Sequence, residues 1–125
     1  MKKILLIIAI MAIVGFLFYE WRSNIGESPV VSANADIIYF HGKGCPHCLI
    51  VEDYMEKNNV EAKIKVEKGE IFFNKENTAI FKEKANACGI PEDQMGVPLL
   101  WVKGKCYTGD KDIISYFDEQ LNAKK

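Results

Sequence analysis

The chain has 125 residues, of which 49% are apolar and 26% charged, and its formal net charge is −1. These proportions suit one globular domain with an appendage, and they argue against a second domain or a disordered chain. With no basic excess and no basic stripe, nucleic acid is not an expected partner.

Met1-Lys2-Lys3 precede an unbroken apolar run from Ile4 to Tyr19, the pattern of a signal anchor or signal peptide over residues 1–22. As a helix the run reaches ~24 Å, a little short of the ~30 Å hydrocarbon layer. Phe16, Phe18, Tyr19 and Trp21 gather at its outer end, where amphipathic rings favour the headgroup level. Ala33-Asn34-Ala35, the one candidate cleavage site, lies far downstream, so a retained anchor is expected, with the rest of the chain outside the cytoplasm. The alternative is a secreted chain. Residues 23–35 are polar and rich in small residues, and read as a linker. The folded domain is expected over 36–125.

Ile37-Ile38-Tyr39-Phe40 is β-prone and too short for a helix, which suits a buried central strand. It leads into His41-Gly42-Lys43-Gly44-Cys45-Pro46-His47-Cys48, with Pro46 in the first turn of a predicted helix that ends at Asn58-Asn59. Leu49, Ile50, Val51, Tyr54 and Met55 recur along it at helical spacing. Two cysteines three apart at a helix N-terminus share one face of the first turn, so their sulfurs can close a small ring. The partial positive charge and unpaired N–H groups of that terminus favour thiolate over thiol at Cys45. Cys45 is thus the expected nucleophile and Cys48 the resolving thiol, with His47 as an electrostatic tuner. A structural disulfide or half of a metal site is the plainer alternative. His41, Cys45, His47 and Cys48 have the right types for zinc or copper but a compressed spacing, and no metal is assigned.

Further along, Ala62-Lys63-Ile64-Lys65-Val66 alternates with period two and predicts a strand. A polar helix is predicted over Glu76 to Cys88, with Ala79, Ile80, Lys84, Ala85 and Cys88 inward, Gly89 as its stop and Ile71-Phe72-Phe73 packing its start. Val97 to Val102 is strand-like with an early proline, and Lys103-Gly104-Lys105 turns it into Cys106-Tyr107-Thr108 as a hairpin. Gly109-Asp110 offers the cap of a last helix with Ile113, Ile114, Phe117 and Leu121 on one face. Trp101 and Phe117 read as core. A helix end and a hairpin strand are not obvious neighbours, so Cys88 and Cys106 are expected as small buried apolar residues rather than a pair.

The order strand, CxxC helix, strand, helix, proline-bearing strand, strand, helix over Asp36 to Asn122 resembles the thioredoxin superfamily. The resemblance implies an α/β, minimal thioredoxin-like fold with about four strands in a mixed sheet, flanking helices, and the N-terminal apolar helix outside it. It also implies a cis-proline at Val97-Pro98 facing the cysteines, where the backbone of Val97 and Pro98 binds a substrate chain. Cys45-Pro46-His47-Cys48 is similar to the motif of disulfide oxidants of the DsbA type, though the span from Cys48 to Pro98 leaves room only for a glutaredoxin-sized core. Tyr39 stands where relatives often keep a buried acid, so the proton acceptor for Cys48 is unassigned. The expected activity is an extracytoplasmic thiol:disulfide oxidoreductase acting on protein thiols and disulfides, oxidase-leaning, monomeric and without a cofactor. A reductase or isomerase fed by a membrane redox partner, or a thiol-based copper or zinc chaperone, is the alternative.

Overall fold

A computed structural model describes residues 1–23 and 28–125; residues 24–27, part of the expected linker, lie outside the described residues. Helix α1, Lys2–Ser23, is exposed along its described length and, at 22 residues, longer than the apolar run alone. Its ~33 Å would cross a hydrocarbon layer by length and composition.

The domain is a four-stranded mixed sheet in the order β2-β1-β3-β4. Strand β1, Ile37–His41, is central; it pairs in parallel with β2, Glu67–Glu70, and antiparallel with β3, Leu99–Val102, which pairs antiparallel with β4, Lys105–Thr108. The period-two alternation of side chains sorts the core into two layers. Tyr39 and Leu100 join Val51 and Met55 of α2 (Pro46–Lys57) and Ile113 and Phe117 of α5 (Gly109–Ala123) on one face. Ile38, Phe40 and Leu99 meet Phe81 and Ala85 of α4 (Lys75–Ala87) on the other. Leu49 and Ile50 fall outside the buried face of α2 and are exposed.

The strand expected at Ala62–Val66 is instead the short helix α3, Val60–Lys63, followed by β2. Asn59 takes a left-handed conformation, φ 50°, and turns the chain so that Val60 and Ile64, one helical turn apart, are both buried. Only Ala62 and Lys63 of the expected strand are helical; Ile64, Lys65 and Val66 form an irregular link into β2. Along α4, Asn77, Phe81, Lys84 and Ala85 face inward, whereas Ala79 is exposed; Asn74 caps the helix by accepting the Asn77 N–H. Phe72 and Phe73 do not pack the start of α4 but stand exposed before it. Helix α5 starts at Gly109 after Thr108, so Asp110 is not its cap. Trp101 is only half-buried, with the Lys84 amine 5.0 Å from its ring centroid.

The expected separation of Cys88 and Cys106 is overturned: they form a disulfide with Cα atoms 6.0 Å apart. Cys106 lies on the face of β4 that packs with the α4 layer, and Cys88 caps the C-terminus of α4, so the helix end and the edge strand meet. Gly89 makes that crossing possible. At φ 73° it reverses the chain, and Ile90 N–H then donates to the Ala85 carbonyl to close the helix end.

Of the linker expected over 23–35, the part from Ser28 onward is laid against the domain. Asn74 Nδ2 donates to Ser28 O, Asn77 Nδ2 to Pro29 O, and Asn77 Oδ1 accepts the Val31 N–H at 2.9 Å. Val31 is buried over Gly69, and Ser32 N–H reaches the Glu67 carboxylate. This segment therefore runs antiparallel to β2, beginning at the end of the sheet where β1 and β2 finish.

Candidate active site

The site forms where β1 gives way to α2. Cys45 is the N-cap of α2 and Pro46 its first residue, where a missing N–H costs no helical bond. Cys45 and Cys48 are disulfide-bonded with Cα atoms 5.2 Å apart, and Cys45 Sγ accepts the Cys48 N–H at 3.2 Å. The two sulfurs are not equivalent. Cys45 is half-exposed, whereas Cys48 is 1% exposed behind it.

Opposite them, the Val97–Pro98 peptide bond is cis, Pro98 is buried, and the Val97 carbonyl oxygen lies 3.8 Å from Cys45 Sγ. Residues 52 positions apart in the chain thus meet at one sulfur. His47 projects outward, and its Nδ1 sits 3.0 Å from Asp110 Oδ1 at the start of α5. The sequence reading gave Asp110 a capping role; its carboxylate instead holds the imidazole of the CxxC motif.

Beneath the cysteines, Tyr39 donates its hydroxyl to the Cys48 carbonyl at 3.1 Å, and burial, with the Glu52 carboxylate adding, pushes its phenol well above the usual range. It stays a neutral donor where relatives of the resembled family often keep an acid. His41 stacks on Tyr39 with ring centroids 5.6 Å apart and places Nδ1 3.1 Å from Glu52 Oε1. Burial pushes His41 below the ordinary imidazole value, opposed by Glu52 and Glu70. Neither histidine joins the cysteines as a ligand set, and no group of three or more His, Cys, Asp or Glu side chains poised for a metal occurs among the described residues.

The loop before Cys45 is tied down by a residue that sequence reading missed. Glu70, 5% exposed at the end of β2, accepts N–H bonds from Lys43 at 3.2 Å, Phe72 at 2.8 Å and Phe73 at 2.9 Å. Burial pushes its carboxyl up, but these three donors outweigh burial and hold it below the usual carboxylate range. Phe72 packs its ring over Gly42, where any side chain would collide with it. No periodicity marks Glu70, because the Glu67-Lys68-Gly69-Glu70 strand has no apolar residue. A hollow of about 530 Å³, lined by Asp36, Lys65, Val102 and Lys124 among others, is at the opposite end of the sheet and has no part in this chemistry.

No family model and no curated protein matches the sequence. Among solved structures, a wheat glutaredoxin superposes with a TM-score of 0.51 at 24% identity, covering 73% of this chain and 79% of that one. Oxidised glutaredoxin 2 from Chlamydomonas reinhardtii matches with a TM-score of 0.49 at 17% identity, over 74% and 79% of the two chains. The wheat likeness is one of fold: the domain has the small, glutaredoxin-type form of the thioredoxin fold, with an apolar helix ahead of it.

Proposed function

We propose that the chain is a thiol:disulfide oxidoreductase of the thioredoxin-like kind, held outside the cytoplasm by α1 and leaning towards oxidation of protein thiols. The observation that carries this reading is the asymmetry of the pair: a partly exposed Cys45 at a helix N-terminus, bonded to a buried Cys48. In the oxidised form a substrate thiolate attacks Cys45 Sγ. The Cys45–Cys48 bond breaks, its electron pair leaves on Cys48, and a mixed disulfide joins substrate to Cys45. A second substrate thiolate attacks the substrate sulfur of that bond and releases Cys45 as thiolate. The substrate has lost two electrons and two protons, and the pair has gained the electrons. The reverse sequence reduces a disulfide.

Three features support the oxidising lean. The Cys48 N–H already points at Cys45 Sγ and would stabilise a thiolate there, the dipole of α2 acts in the same sense, and the inner dipeptide is Pro46-His47. A stabilised thiolate is a better leaving group and makes the reduced form the more stable one. The Val97 carbonyl, within reach of Cys45 Sγ, supplies an acceptor for the backbone of an extended substrate. A membrane redox partner would return the pair to its oxidised state.

Trapping tests the roles. Cys48→Ser is expected to accumulate a mixed disulfide when its Cys45 thiolate attacks a peptide supplied as a disulfide and the other half of that disulfide leaves as a thiolate, and Cys45→Ser to form none. Adduct formation at Cys48 in the Cys45→Ser variant at a comparable rate would refute the assignment.

A further inference from the structure

We propose that the CxxC end of the domain is seated against the membrane surface, with Phe72 and Phe73 at the lipid headgroup level; this rests on the reading of α1 as a retained anchor. Reach sets the first limit on how the domain can lie. Among the described residues, the first bonded to the domain after α1 is Ser28, held by Asn74 at the start of α4. From Ser23 to Ser28 the backbone spans at most ~18 Å even when fully extended. A domain of this length is about 30 Å across. A leash shorter than the domain cannot turn the end remote from Ser28 towards the bilayer.

Ser28 sits at the CxxC end. It is bonded to Asn74, one residue beyond Phe73, while Val31 lies over Gly69 and Ser32 bonds Glu67 as the segment descends beside β2. Glu70 ties Phe72 and Phe73 to Lys43 of the loop that precedes Cys45, so the leash and the redox pair share one edge of the sheet.

The apolar surface has the same polarity. Outside α1, the large hydrophobic residues exposed among those described are Val30, Leu49, Ile50, Phe72 and Phe73, all of them on the half of the domain that carries Cys45. Phe73 is 78% exposed, and its neighbours Lys43 and Lys75 are exposed cations, with Glu76 the exposed acid beside them. Aromatic rings flanked by lysines suit the boundary between headgroups and acyl chains. Seated there, Cys45 Sγ meets thiols carried at the membrane surface.

Photo-crosslinking of the full chain in vesicles of phosphatidylethanolamine and phosphatidylglycerol tests this. Benzoylphenylalanine replaces Phe73 in one protein and Lys65, at the opposite end of β2, in another. The expected result is roughly tenfold more lipid adduct at 73 than at 65, because the two positions differ in depth by much of the domain's ~30 Å width. Equal or reversed labelling in protein that floats with the vesicles overturns the orientation and leaves the anchor standing. Crosslinked dimers at 73 in place of lipid adducts overturn it in favour of a second copy of the chain. Protein that does not float with the vesicles overturns the anchor and the orientation together.

Discussion

At the scale of single residues, the site depends on one carboxylate, Glu70, bonded to backbone N–H groups and on two imidazoles, His41 and His47, each beside a carboxylate. Glu70 is held below the ordinary carboxylate range, so the stability it confers is full above about pH 4.3 and is lost as pH falls through its folded value. His41 is held below the ordinary imidazole range, so the folded state binds its proton less readily than the unfolded chain, and stability declines as pH falls below about 6.5. Urea unfolding across pH is expected to show both declines. Glu70→Gln should flatten the acid one and His41→Gln the one nearer neutrality. Glu70→Ala should cost about 2–4 kcal/mol, since three N–H groups lose a charged acceptor. Cys45, Cys48 and Pro98 were legible from sequence because a two-residue spacing and a strand-borne proline are local patterns. Asp110 and Asn77 were not, because their partners lie 63 and 46 residues away, nor was Glu70, whose strand has no apolar pattern and whose tie to the CxxC loop runs to Lys43, 27 residues back.

At the scale of elements, the sheet was read where strands carry apolar residues and misread where they do not. Ile37-Ile38-Tyr39-Phe40 and Leu99-Leu100-Trp101 announce themselves through β-prone side chains. Strand β2 is specified by pairing with β1 and by Gly69, over which Phe40 and Val31 close, none of which has a periodic signature. The bond from Cys88 to Cys106 joins α4 to the edge strand β4 and encloses a loop of 18 residues. Replacing both by serine is expected to lower unfolding free energy by about 3 kcal/mol, on the chain-entropy account, while trapping at Cys45 is unaffected. Unchanged stability would show that the bond constrains little. Asn77→Ala removes the acceptor of the Val31 N–H and the donor to Pro29 O. Faster amide exchange at Val31, with β1 protection retained, is expected if this segment is stitched to α4 rather than folded with the core.

At the scale of the molecule, a sheet covered by helices on both faces presents its chemistry at one end and a hollow of about 530 Å³ at the other. The order of elements was enough to suggest this fold, since each segment of the predicted chain path has a short connection to the next. The docking of residues 28–35 was not foreseen, because it rests on side-chain amides of α4 rather than on composition. The claim on which the rest depends is that Cys45–Cys48 exchanges electrons rather than simply bracing the helix. Equilibrating the full chain against glutathione buffers, alkylating it, and weighing the peptide that carries residues 45–48 measures this directly. The account predicts a two-electron transition at a potential above the ~−270 mV of thioredoxin. A pair that stays oxidised in buffers near −300 mV, roughly the limit below which structural disulfides lie, would contradict it.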